Sequence, residues 1–533
     1  MCGIGGILRT DGTRIPDEWL DAIDTEIAWR GPDGQGRFHD HVEWIDASGT
    51  RRRVDVAFVH RRLSIIDHQD GCQPMVSERG RNEHEGLVAV VFNGCIYNHR
   101  ELRSQLESRG HAFATDHSDT EVLIHGWREW GMELAQHLEG MFAFALWDRS
   151  RRAVIVARDW CGRKPLYVLQ RPGAGDGCPG IFAFASATNA LMFDPVSQPR
   201  ESDASAWWPG VSNYLARGYM ENMHGQMLPG TTVREHTPGL IESFDAVGGC
   251  EQMLVPVERV KSTSQSTTVS TQTIESLIEQ AVQRRLEADV PLGCFVSGGV
   301  DSSLIAYFAK KHKPDLMTFS VRMPDERYDE SRYATRAADH LGTVHHTLDV
   351  AMNPAEDLVH LIKLLGQPFA DSSILPTYWV SKAAREHVKV ALSGDGGDEI
   401  FIGYERFLAA PLLAQHHRML AHIPQWLGRN AHPKSKRAKL ARLSVMARDY
   451  PSLGIAAMES IFTQSQIAAL TDSKPHDPSR IEHDNSLYNA TARLRAFELE
   501  HYLPCDLLRK LDTASMAVAL EVRCPFLDRD LAT

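Results

Sequence analysis

The stretch LGCFVSGGVDSSLIAYFAKKH at 292–312 decides the fold of the second half of the chain. Its first residues, LGCFVS at 292–297, read as a short buried strand, SGGVDSS at 297–303 as a tight turn, and the residues from 301 to 312 as a helix. Paired glycines allow a turn that presents backbone N–H groups and a helix N-terminus to phosphate oxygens. Ser297, Ser302 and Ser303 add hydroxyl donors, and Asp301 belongs beside phosphate only if a metal cation neutralises their repulsion. The loop lacks the lysine of G-x-x-x-x-G-K-[ST], which excludes the usual nucleoside triphosphatase loop.

Working outward, helix 274–286 precedes this unit, and strand LMTFSV at 316–321, helices 329–341 and 378–386, and strand VKVALS at 388–393 follow it. Helices alternating with short buried strands predict a parallel, helix-covered sheet. A second small-residue turn, SGDGGDE at 393–399, leaves the last of these strands, and residues 404–520 are mostly helical in texture.

Toward the N-terminus the texture changes. Short β-rich runs at 3–8, 54–60, 86–94, 141–148, 153–159 and 180–186 carry apolar residues on both faces, with helical periodicity at 16–28 and 118–131. That pattern predicts an α+β unit built on sandwiched sheets. PVSQPRESDAS at 195–205 and the Ser/Thr/Gln run KSTSQSTTVSTQT at 261–273 are too polar for core strands. The expected division is a first domain at 2–190, a connection at 191–273 and a second domain at 274–533.

Composition narrows the function. The 533 residues are 43% hydrophobic and 24% charged, which rules out bulk disorder, and a net charge of −12 disfavours a polyanionic partner such as nucleic acid. Nine cysteines without a C-x-x-C pair, no secretory leader and no long apolar run point to a cytoplasmic protein with no membrane partner.

Cys2, followed by Gly3, carries the second chemical signal. Removal of an initiator Met before a small residue puts a thiol and a free α-amine on one residue. Their ordinary pKa values, about 8 for the amine and about 8.5 for the thiol, suit proton exchange during acyl transfer through a thioester.

The motifs RGPDG at 30–34, HRRLSIID at 60–67, NGCIYNH at 93–99 and SDTEV at 118–122 accompany Cys2. Together they resemble the N-terminal-nucleophile glutamine amidotransferases fused to asparagine synthetases. Residues 274–531, with SGGVDSS, SGDGGDE and LEVRCPFLD at 520–528, are similar to the ATP-pyrophosphatase half of the same family. The resemblance implies an αββα N-terminal-nucleophile hydrolase sandwich followed by an α/β parallel-sheet domain of the adenine nucleotide alpha hydrolase type.

It also implies roles. Cys2 would attack the glutamine amide, with the Asn93 side chain and Gly94 N–H as oxyanion hole, and Arg62, Asn93, Gly94, Cys95 and Asp119 would surround glutamine. Ser297, Gly298, Gly299, Val300, Asp301, Ser302, Ser303, Val321, Ser393 and Gly394 would bind ATP. Asp395 would act near the acyl adenylate, and Asp301 and Asp398 would hold Mg2+. The implied reaction amidates aspartate through β-aspartyl-AMP and releases AMP, pyrophosphate and glutamate, with a homodimer as a possible assembly.

Departures from the family pattern carry expectations of their own. Cys95 stands where Glu is usual, Trp29 where His is usual, and Thr513 where Arg is common. Only five residues follow Asp528, whereas family members continue through a basic segment with a phosphate-contacting lysine; Lys510 precedes the motif instead. The expected consequence is weakened synthetase turnover. Another carboxylate acceptor, or a truncated interaction protein without turnover, stays open at this point. The pair His345 and His346 lacks a third ligand at recognisable spacing and reads as polar structure rather than a metal site.

Overall fold

In the computed structural model the described residues are 2–533, apart from 78–85, 173–178, 193–207, 221–224, 229–230, 247–249, 255–268, 429–430, 433–434 and 472–488. The polar run at 195–205 and most of that at 261–273 therefore lie outside the described residues.

Two antiparallel sheets build the N-terminal unit. The first runs in the spatial order Gly225–Leu228, Thr231–Glu235, Tyr167–Pro172, Pro179–Ala185, Gly3–Arg9, Arg51–Arg62, Gly34–Ile45. The second runs Cys250–Leu254, Leu240–Asp245, Ala153–Arg158, Gly140–Asp148, Val88–Ile96, Met75–Ser77. Central strands such as Gly140–Asp148 are buried along their whole length, because both faces are covered. Strand Gly34–Ile45, at a sheet edge, alternates exposed and half-buried residues instead.

Ile4, Val56, Phe58, Val91, Ala145, Trp147 and Phe184 fill the space between the sheets. Helix Asp17–Ile27 covers the outer face of the first sheet through Trp19 and Ile23, and helix Glu121–Trp130 covers the second through Val122, Ile124 and Trp127. The result is the expected αββα sandwich. Its strands do not stop near 190. Thr231–Glu235 is hydrogen-bonded to Tyr167–Pro172, and Leu240–Asp245 to Ala153–Arg158, so part of the stretch read as connection belongs to these sheets.

The second half centres on a five-stranded parallel sheet in the order Val344–Leu348, Met317–Val321, Leu292–Phe295, Val390–Leu392, Glu521–Arg523. Its last strand follows a series of helices among the described residues between Glu405 and Met516. That series includes a π-helical segment at Glu498–Leu507 leading into helix Leu508–Met516, every residue of which is buried. His345 lies on an edge strand with its ring between the Thr318 and Ser320 hydroxyls at 3.0 and 3.2 Å, and His346 stacks on Phe319 and His387.

Candidate active sites

The first site forms where strand Gly3–Arg9 begins. Cys2 is buried, its main-chain N–H donates to Asn93 Oδ1 at 2.9 Å, and Arg30 Nε donates to the Cys2 carbonyl at 3.1 Å. Asn93 sits near the end of strand Val88–Ile96 and is fully buried. Its Oδ1 is taken by Cys2, and its Nδ2 has no partner. An amide anchored by its oxygen and left with a free N–H beside a nucleophile is a preorganised donor for a developing oxyanion. Gly94 is required by space, since a Cβ there would lie 2.0 Å from the Met141 carbonyl oxygen. Burial pushes the Cys2 thiol up from its ordinary value, and a hydrogen bond from the Leu63 main chain and the charge of Arg62 oppose it.

Arg62 ends the neighbouring strand and is buried. Its guanidinium donates to the carbonyls of Ile66 at 3.3 Å, His68 at 3.2 Å and Asp67, so it braces the loop that follows. Asp119 is also buried and accepts from the Ile96 N–H at 3.1 Å; burial raises its pKa, with His99 pulling the other way. The Cys95 thiol is raised by burial too, and among its neighbouring charges are the Arg523 guanidinium and the Asp119 carboxyl.

The second site lies at the C-terminal ends of three adjacent strands, where a parallel sheet presents its ligand-binding edge. Ser297 follows Leu292–Phe295, Val321 ends Met317–Val321, and Ser393 follows Val390–Leu392. Ser302 Oγ accepts from the Ser297 N–H at 3.1 Å and lies 3.0 Å from Ser297 Oγ, and the Gly299 N–H donates to Ser297 Oγ at 3.3 Å. Gly298 has φ +82°, and a Cβ on it would meet the Tyr333 backbone at 2.5 Å, so the turn accepts only glycine there.

The two loops touch. A Cβ on Gly394 would lie 2.9 Å from the Ser302 nitrogen, and one on Gly397 would lie 3.0 Å from Asp301 Oδ2. Burial raises the Asp301 carboxyl and the neighbouring charge of Asp398 adds to it. Asp398 is raised by burial, with Arg406 opposing and Asp395 adding. Two half-buried carboxylates that repel each other across a phosphate-type loop have the chemistry of a divalent-cation site. Asp395 accepts from the Ser393 hydroxyl.

Several residues acquire positions that the sequence did not signal. Arg30, quoted only as part of RGPDG, links the first site to the second half of the chain: besides holding the Cys2 carbonyl, it donates through Nη2 to Asp512 Oδ2 at 2.6 Å with both side chains buried. Lys164 approaches Asp512 Oδ1 at 3.4 Å. Lys510, two residues before Asp512 on helix Leu508–Met516, lies 3.1 Å from Asp371 and donates to Ser373 Oγ at 2.8 Å. Asp395 is among the charges that raise its pKa against the effect of burial. The lysine read as merely preceding the LEVRCPFLD motif thus stands at the edge of the second site. Cys95, Met141, Val296, Met516 and Ala519 belong to one apolar cluster that runs from the first site to the second.

Fold and sites define an N-terminal-nucleophile amidotransferase joined to an ATP-pyrophosphatase-type synthetase. The family model described as glutamine amidotransferase domain matches residues 1–248, and that described as asparagine synthase matches 273–533. Asparagine synthetase [glutamine-hydrolyzing] 1 of Bacillus subtilis is 30% identical over 99% of this chain and 80% of its own length. A putative asparagine synthetase [glutamine-hydrolyzing] of Mycobacterium bovis is 31% identical over 100% of this chain and 81% of its own. The chain belongs to the family of glutamine-hydrolysing asparagine synthetases.

Proposed function

We propose that this chain converts aspartate to asparagine at the expense of ATP, taking the nitrogen from glutamine. Cys2 Sγ attacks the glutamine side-chain carbonyl, the Asn93 Nδ2 and Gly94 N–H groups receive the oxyanion, ammonia leaves, and water then releases glutamate from the thioester. With Met1 removed, the nitrogen held against Asn93 Oδ1 is an α-amine, placed to take the thiol proton and return it to the leaving group. Arg62 binds the glutamine α-carboxylate and Asp119 its α-ammonium.

In the second site the Ser297–Ser303 turn, Val321, Ser393 and Gly394 hold ATP, and Asp395 lies beside the acyl adenylate. Asp301 and Asp398 are the residues to hold Mg2+, which supplies neutralising charge for the phosphates when bound. Ammonia crosses between the sites inside the apolar cluster around Cys95, Val296 and Met516, which keeps it unprotonated and nucleophilic. The pairing of two chains and a cytoplasmic setting are part of the same proposal; none of the helices among the described residues is long and apolar enough to cross a membrane.

The observation that carries the reading is the Asn93 amide, tied by its oxygen to Cys2 and left with an unused buried donor. The test is mass analysis of products from amide-15N glutamine, ATP and Mg2+ with a panel of acceptor acids. Labelled asparagine is the expected product. Label in another acid, with none in asparagine, overturns the choice of aspartate, and no labelled amide at all overturns the coupling.

A further inference from the structure

A cavity of about 20 Å³ lies between the two halves of the chain, lined by Tyr97, Trp160 and Arg163 from the N-terminal unit and by Arg285 and Asp528 from the C-terminal one. It is large enough for one small ion or one or two waters and too small for phosphate or sulfate. Four of its lining side chains each leave one buried polar atom without a partner: Tyr97 Oη, Trp160 Nε1, Arg163 Nη1 and Arg285 Nε. Tyr97, Arg163 and Arg285 are 7%, 5% and 1% exposed, so water outside the cavity does not satisfy them.

Other nitrogens of each guanidinium are engaged. Arg163 uses Nε for Asp159 at 3.3 Å and Nη2 for the Gly140 carbonyl at 2.7 Å, and Arg285 uses Nη1 for Asp528 Oδ2 at 2.9 Å and the Ala281 carbonyl at 2.7 Å. The guanidinium of Arg285 also stands over the Tyr97 ring at 4.5 Å, which fixes both groups at the cavity wall.

The unused groups are unequal in kind. Two guanidinium N–H groups and an indole N–H are donors only, and the tyrosine hydroxyl donates as readily as it accepts. The carboxylates that line the cavity already face cations: Asp528 meets Arg285, Arg284 and the Asp530 N–H, and Glu139 meets Arg284. A water there can accept only two of these four hydrogen bonds, whereas a halide can accept from all four donors at once.

We propose that this cavity binds a small monovalent anion of halide size, held by Tyr97, Trp160, Arg163 and Arg285, and that the ion fastens the two halves of the chain together. It is a structural site, and its argument is independent of the reading of the chemistry at either reaction centre.

The full chain tests this in two ways. Crystals soaked in sodium bromide are expected to show an anomalous peak between Arg163 and Arg285. Replacing sodium gluconate by sodium chloride at constant ionic strength is expected to raise the unfolding midpoint by about 1–2 °C. The Tyr97→Phe variant, which keeps the ring over Arg285 and removes one donor, is expected to lose at least half of that rise. Ordered water in the cavity without a bromide peak, or equal midpoints in the two salts, overturns the proposal. A full chloride response in Tyr97→Phe overturns the four-donor site.

Discussion

The two reaction centres differ in how finished they are. Around Cys2 each main-chain group has a partner, Asn93 is locked by its oxygen, and its unpartnered Nδ2 is the donor proposed for the oxyanion. Around Ser297 the turn is built but its charges are unbalanced, with burial and the Asp398 charge raising the Asp301 carboxyl, and burial and the Asp395 charge raising Asp398. The first site is made entirely by the chain, and the second is completed by what it binds. A thioester mechanism needs only side chains and water, while adenylation needs a nucleotide whose phosphate charge the carboxylates complement through a metal.

The sharpest way to break this comparison is Cys2→Ala. Glutamine-dependent amide synthesis is expected to fall at least about a thousandfold, because the nucleophile is irreplaceable, while synthesis driven by ammonium chloride persists. Equal loss with both nitrogen sources would mean that the sites are not separable. Next in size is Asp398→Asn, expected to lower ATP–pyrophosphate exchange about a hundredfold while leaving glutamine hydrolysis within about twofold of its starting rate. A glutaminase loss as large as the exchange loss defeats the assignment of Asp398 to the second site alone.

A third change tests what joins the two centres. Asp512→Asn removes the carboxylate that Arg30 and Lys164 share, leaving two buried cations with a neutral partner. The expected cost is about 3 kcal/mol of stability, seen as a lower midpoint in urea denaturation. Because Arg30 also holds the Cys2 carbonyl, glutaminase activity is expected to fall with it, and an unchanged midpoint would show that the pair adds nothing to the docking of the halves.

This junction is also where sequence reading was weakest. The strands around both loops, the sandwiched sheets and the motif residues were legible because each is local: apolar runs, glycine turns, a strand running into a helix. Gly298 and Gly394 can be recognised from their motifs before their neighbours are known. Arg30 and Asp512 are 482 positions apart, and neither has a local pattern that names the other. The strands of 225–254 were missed for a related reason. Cys250–Leu254 is an edge strand with mostly exposed residues, so it has little of the apolar signature that marks a central strand. Strand Glu521–Arg523, only three residues long, was quoted as a motif and not seen as the last member of the parallel sheet.

The comparison is sharpened by a departure from the family pattern beside the first site. Cys95 stands where a glutamate is usual, and Arg523, whose charge bears on the thiol, keeps Nη2 buried without a partner while its other nitrogens serve Glu521 and the carbonyls of Arg285 and Glu287. Cys95→Glu supplies a carboxylate for that guanidinium and a second anion near the substrate ammonium. The glutamine KM is expected to drop about tenfold with kcat nearly constant, the mark of an interaction equal in ground and transition states. A raised KM would mean that the thiol's apolar packing matters more than the missing charge.

The smallest effect concerns pH. Asp119 is left as the carboxylate assigned to the glutamine ammonium, and burial has raised its pKa above the ordinary carboxylate value. Only the ionised form attracts an ammonium, so lowering the pH through that raised pKa protonates Asp119 and weakens binding; raising it restores the charge. The glutamine KM is therefore expected to climb a few-fold, roughly threefold, on mild acidification, before an unperturbed carboxylate would begin to titrate. Stability runs in the opposite sense for this group, since a carboxyl with a raised folded-state pKa favours the folded chain at low pH and loses that contribution as the pH rises. A KM that stays flat until the ordinary carboxylate range would remove Asp119 from the ammonium and assign the recognition to a group that Cys95→Glu does not reach.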